Sequence, residues 1–157
     1  NGEVEILEYC TGSEYNSDSK HFRSTATGES LSRETAKKMS RSNAENRLAR
    51  TISATLSIVT DNYVNSSKFN NKEEVTETFN DLARTVVNQD LKGAIIMCEK
   101  LTQKTDGSFV SYIAIELSGE EVAQAYNERL SKDERIMADY NYENFKETFE
   151  AEMNKLN

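Results

Sequence analysis

Residues 31–66 contain neither Gly nor Pro. Within them Ala36, Ala44, Leu48, Ile52, Leu56, Val59 and Tyr63 recur at helical spacing. A stripe of that period over so long a run commits the chain to one long helix with one buried face. The first half of the stripe is small and the second half large. Small side chains let a helix lie close on a sheet, whereas large ones fill a deeper core. Ser30 is placed to cap this helix at its N-terminus, because its hydroxyl can accept from a free backbone N–H of the first turn. Gly28, just before, permits a sharp exit from whatever precedes.

The other elements follow from local signals. Residues 3–10 alternate imperfectly and read as a short strand. Residues 11–20 are rich in Gly, Ser, Asn and Asp and read as a loop. Residues 21–28 read as a second strand, with β-favouring Phe22, Thr25 and Thr27. Asn71-Lys72-Glu73-Glu74 has the pattern of a capping box and opens a helix to about Asn88, marked by Val75, Phe79, Leu82 and Val86. Asp106-Gly107, between alternating runs at 92–104 and 108–118, signals a hairpin. Pairing Thr105 with Ser108 places Cys98 opposite Ile115 and Ile96 opposite Leu117. One face then carries Ile96, Cys98, Ile113, Ile115 and Leu117, and the other Ile95, Met97, Leu101, Tyr112 and Ala114. Ser118-x-x-Glu121 and Ser131-x-x-Glu134 open helices at 119–130 and 133–155. The expected fold is a single α+β domain over 1–157, with residues 1–2 and 156–157 as loose ends. An antiparallel sheet packs against the long helix in the order β-β-α-α-β-β-α-α.

Composition bounds the function. The chain has 157 residues, suited to one domain. Its net charge of −8 makes it a poor nucleic-acid binder. The charge is uneven: residues 1–19 hold Glu3, Glu5, Glu8, Glu14 and Asp18 with no Lys or Arg, whereas residues 31–69 are net basic and 118–157 net acidic. Such asymmetry can steer a partner. One His and two Cys exclude a structural zinc site made of His and Cys alone, which needs about four ligands. No apolar run approaches the ~20 residues of a membrane span.

Candidate chemistry is sparse. His21, the lone histidine, would have to serve any nucleophile–base pair, and no Gly-x-Ser-x-Gly motif accompanies it. It reads as a surface residue at a strand start. Cys10 and Cys98 fall on predicted strands. They would bridge if those strands were neighbours, and otherwise serve as small buried apolar groups. The pairs Glu73-Glu74, Glu120-Glu121 and Asp133-Glu134 sit in first helical turns, where acids favour the helix dipole. Arg33, Lys37, Lys38 and Arg41 form a basic cluster that reads as a solvated helix face. Asn65-Ser66-Ser67 fits a glycosylation sequon. No catalytic, cofactor-binding or metal-binding residue is assigned.

One resemblance adds a cellular address. Phe22-Arg23-Ser24-Thr25-Ala26-Thr27-Gly28-Glu29-Ser30 precedes a helix with Ala36, Ala44 and Ala49 that ends in Asn62-Tyr63-Val64. Cys10-Thr11-Gly12 lies before it, and Val86-Val87-Asn88-Gln89 leads into the hairpin. From about Val4 to Met153 this order resembles the bacterial twenty-kilodalton envelope lipoprotein family, in particular small lipoproteins of gut Gram-negative bacteria. The resemblance implies secretion, a lipid anchor upstream of Asn1, and an α+β domain facing the periplasm or the exterior. It implies no catalytic residues. Residue 1 is Asn and Glu8-Tyr9 does not fit a lipobox before Cys10, so the anchoring Cys is expected before this chain.

The resulting expectation is a non-enzymatic cell-envelope lipoprotein domain with a structural or protein-interaction role, binding a second copy or another envelope protein. The membrane is touched only through the upstream anchor. Ile95, Met97, Leu101 and Tyr112, on the hairpin's second apolar face, are the candidate interaction surface. The alternative is a small-ligand module with its pocket between the sheet and the long helix.

Overall fold

A computed structural model describes residues 2–156. The fold is α+β, with a three-stranded antiparallel sheet and four helices. The elements are β1 (His21–Ser30), α1 (Arg33–Ser66), α2 (Lys72–Thr85), β2 (Ile95–Gln103), β3 (Phe109–Ser118), α3 (Gly119–Lys132) and α4 (Tyr142–Met153). A wider turn at Val86–Asp90 continues α2, and short 3-10 turns occupy Ser13–Tyr15 and Asn154–Leu156. The sheet order is β1-β3-β2. Asn1 and Asn157, expected among the loose ends, lie outside the described residues.

The chain divides into two compact units. The first takes the chain to Asn16 with Arg23–Leu48 and Ala94–Glu116; the second takes Ser17–Phe22, Ala49–Gly93 and the chain from Leu117 on. The division falls inside β1, α1 and β3.

In the first unit the small half of α1 lies directly on the strands. Ala36 and Ala44 are fully buried. Ser24 Oγ donates to the Ala44 carbonyl at 2.7 Å, and Ser40 Oγ meets Ser111 Oγ at 2.8 Å. Gly28 is where β1 and α1 come closest. A Cβ there would stand 2.5 Å from both the Ala36 carbonyl oxygen and the Ser40 nitrogen. Both are backbone atoms in a helix and cannot swing aside. Gly28→Ala is therefore expected to cost about 1–3 kcal/mol through overpacking. A urea titration that finds no loss would show that α1 shifts freely on the strand.

The second unit holds the large half of the stripe. Ile52, Leu56, Val59 and Tyr63 are buried with Phe79, Tyr126, Phe145 and Phe149. Tyr126 hydroxyl donates to the Phe79 carbonyl at 2.9 Å and meets Thr60 Oγ1 at 2.8 Å. Burial pushes the Tyr126 hydroxyl well above its ordinary pKa. The Asn141 N–H donates to Tyr63 hydroxyl at 2.9 Å, tying α1 to the start of α4.

Several expectations need correction. Residues 3–10 form no strand; 2–9 are an exposed arm without regular secondary structure, and only Cys10 is buried. Glu8 falls on the side of Val4, Ile6 and Cys10 and breaks the apolar alternation, so no continuous face exists to bury. The cap of α1 is Ser32, whose Oγ accepts from the Thr35 N–H at 3.3 Å, while Ser30 ends β1. Asn71 does not cap α2 through a backbone N–H; its Nδ2 bonds the Glu74 carboxylate instead. The Ser131-x-x-Glu134 box does not open a helix. Asp133 Oδ1 accepts from the Arg135 N–H at 2.9 Å, and this local bond outcompetes helical pairing. Turns follow to Asp139, and α4 starts later, where Asn141 Oδ1 accepts from the Asn144 N–H at 3.0 Å. The Ser118 box forms as expected, its Oγ accepting from the Glu121 N–H.

The hairpin exists but its register is shifted by one. Lys104 N–H donates to the Ser108 carbonyl at 2.8 Å, so the loop is the three residues 105–107. Gly107 takes the left-handed conformation at φ 91, and its N–H closes a turn on the Lys104 carbonyl. A tight turn followed by a left-handed Gly is the usual three-residue hairpin. Cys98 therefore pairs with Ala114, Lys100 with Tyr112, and Leu101 with Ser111. An irregularity between Ile96 and Cys98 brings Ile96 opposite Ile115. One slipped residue exchanges the faces of β2 against β3.

Candidate functional site

The slip redistributes the four residues expected to form one surface. Leu101 shares a face with Ser111 and Ile113, the face toward α1, while Tyr112 lies on the opposite face with Cys98 and Lys100. Ile95 is 66% exposed and Leu101 36%, whereas Met97 and Tyr112 are half-buried. Ile95, Ile96, Met97 and Leu101 thus belong to the exposed strand β2, and Tyr112 belongs to the floor beneath the N-terminal arm.

That arm is fastened to the Tyr112 face. Cys10 and Cys98 form a disulfide with Cα atoms 5.6 Å apart, within the range that such a bridge requires. The Tyr9 ring stands edge-on to Tyr112 at 5.4 Å between centroids. Cys10 adopts φ 59, a left-handed conformation that a side chain rarely takes and that the bridge and burial hold in place. Spacing alone could not reveal the bridge, because Cys10 is not on a strand and reaches Cys98 across 88 residues.

The two edges of the sheet differ. Along β1 the outer carbonyls are occupied by α1: Asn43 Nδ2 donates to the Thr27 carbonyl at 2.9 Å and Arg47 to the Thr25 carbonyl at 3.0 Å. These two α1 residues, four apart, occupy two carbonyls of that strand. Along β2 most side chains are exposed, and among the described residues no further strand joins it. An open edge with exposed apolar side chains invites pairing with another chain. The sequence carries this signal only in the apolar character of Ile95, Ile96 and Leu101.

The remaining candidates separate clearly. His21 is partly exposed and its Nδ1 lies 3.1 Å from Asp18 Oδ1. It also lines a cleft of about 500 Å³ in the second unit, with Lys20, Tyr142, Lys146, Phe149 and Met153. This cleft lies among residues 19–21, α3 and α4, and not between the sheet and the long helix where a pocket was expected. Within the basic cluster, Arg33 lies over the Phe109 ring and Arg41 lies 3.9 Å from Glu45. Asp90 accepts from two guanidinium nitrogens of Arg129, Nε and Nη2, which lowers its pKa below the ordinary carboxylate value. Among the described residues no group of three or more His, Cys, Asp and Glu is placed to hold a metal ion, and no helix is long and apolar enough to cross a membrane.

Comparison of the chain with protein-family models, with curated proteins and with solved structures finds no match.

Proposed function

We propose that this chain is a non-enzymatic interaction domain of a bacterial cell envelope, carried by a lipid anchor upstream of Asn1. Its binding site is the open edge of β2, with Ile95, Met97 and Leu101. The observation that carries the binding reading is the contrast between edges: β1 has its Thr25 and Thr27 carbonyls engaged by Arg47 and Asn43, while β2 presents exposed apolar side chains. The Cys10–Cys98 bridge supports the envelope address, because such bridges persist in oxidising compartments and are rare in the cytosol. A second reading, small-ligand binding, is favoured by the cleft beside His21, which cationic Lys20 and Lys146 line together with apolar Phe149 and Met153.

Two experiments test the first reading. A photo-crosslinking side chain is placed at Ile95, at Leu101, or at exposed Ile58 on α1, and the producing cells are irradiated. Protein adducts are expected from positions 95 and 101 and not from 58; equal yields, or none, would remove β2 as the binding edge. Alkylation of the same cells, before and after reduction, should find Cys10 and Cys98 blocked until reduced. Free thiols there would overturn the envelope assignment.

A further inference from the structure

Resting on the reading of β2 as the binding edge, we propose that its occupant is the acidic arm of a second copy of this chain. Residues Glu3–Leu7 of one copy add antiparallel to Cys98–Thr102 of the other, with Glu5 opposite Lys100 and Val4 opposite Leu101.

The arm has the character of a strand without a place in a sheet. Val4, Ile6 and Leu7 are 88%, 79% and 74% exposed, an unusual cost for three apolar side chains so close together. Glu3, Glu5 and Glu8 give this stretch only negative charge. On β2, Lys100 is exposed, and neither Lys100 nor Glu5 forms an ion pair among the described residues. Lys104, farther along, is engaged by Glu29 at 3.0 Å. Lys100 is thus the cation of β2 left for an acidic strand. Beyond the irregularity at Met97, Cys98–Gln103 pairs regularly with β3 and offers a regular outer edge of matching length. The register with Glu5 at Lys100 also brings Val4 to Leu101, an apolar cross-strand pair.

The arm does not reach its own edge. Cys10 is bonded to Cys98 on β2, and the next ring, Tyr9, already lies on Tyr112 of the central strand. The foot of the arm is thus held on the face of β2 and β3 and not at the outer edge of β2, and a second molecule supplies the strand. Exchange of two identical arms across a twofold axis satisfies both edges and closes the assembly, as symmetric dimers do.

Light scattering of the full chain at several concentrations should show a dimer. Removal of residues 1–8, all ahead of the buried Cys10, should give a monomer with an unchanged circular dichroism spectrum. Lys100→Glu should raise the dimer dissociation constant at least about fivefold by opposing like charges across strands. Adding Glu5→Lys to Lys100→Glu should restore it. A wild-type monomer, a dimer that survives loss of the arm, or a charge swap without rescue would each overturn the proposal. If the wild type is monomeric while crosslinks from positions 95 and 101 persist, the partner is a different protein and the binding edge stands. If those crosslinks are absent, the binding edge itself falls.

Discussion

Replacing Cys10 and Cys98 together with Ala is expected to lower the unfolding free energy by about 4–5 kcal/mol. The bridge joins residues 88 apart in sequence, and a closed loop of that length removes about that much chain entropy from the unfolded state. For a chain of this size the loss corresponds to a drop in melting temperature on the order of 10 °C. Two effects trim the figure: Cys10 is released from its left-handed backbone, and the unfolded chain retains some compactness. Denaturant titration with and without reductant measures the loss directly, and the double variant should then be insensitive to reductant. A change below about 1 kcal/mol would mean that the bridge ties down only the arm and leaves the rest of the unfolded chain as free as before.

Phe145→Ala is expected to cost about 3–5 kcal/mol. Phe145 is fully buried, with its ring centroid 5.4 Å from Tyr126, 5.8 Å from Tyr63, 5.9 Å from Tyr140 and 6.4 Å from Phe149. Removing it leaves a cavity between rings whose hydroxyls are anchored elsewhere, Tyr126 on Phe79 and Tyr140 on Asn127. Those anchors keep the neighbours from collapsing inward, so the cost falls in the upper part of the large-to-small range. Phe145→Leu, which keeps much of the volume, should cost less than half as much. Equal losses for the two variants would show that the ring–ring geometry, and not the filled volume, is what Phe145 contributes.

Part of the proposed binding edge is legible in the sequence. Ile95 and Leu101 stand out as apolar residues in an alternating run, and both are exposed as an interaction surface requires. Their grouping with Tyr112 depended on whether the Asp106-Gly107 turn spans two residues or three. Both loops suit that dipeptide, and the Lys104–Ser108 pair selects the longer one. The arm's sequence points to a strand for a related reason. Val4 and Ile6 have strand character in isolation, but a strand needs a neighbour with a free edge, and no local signal says whether one is within reach.

Local physics sufficed where an element carries its own instructions. The stretch without Gly or Pro and with a 3.6-residue stripe had to become α1, whose small half lies on Gly28 and whose large half packs among the aromatic rings. The Ser118 hydroxyl caps α3 using a partner three residues away. The tertiary structure alone decided the Cys10–Cys98 bridge, the bonding of Asn43 and Arg47 to the β1 carbonyls, and the exposure of β2. Each of these depends on groups distant in sequence meeting within a few ångströms, a condition that no single segment's pattern contains.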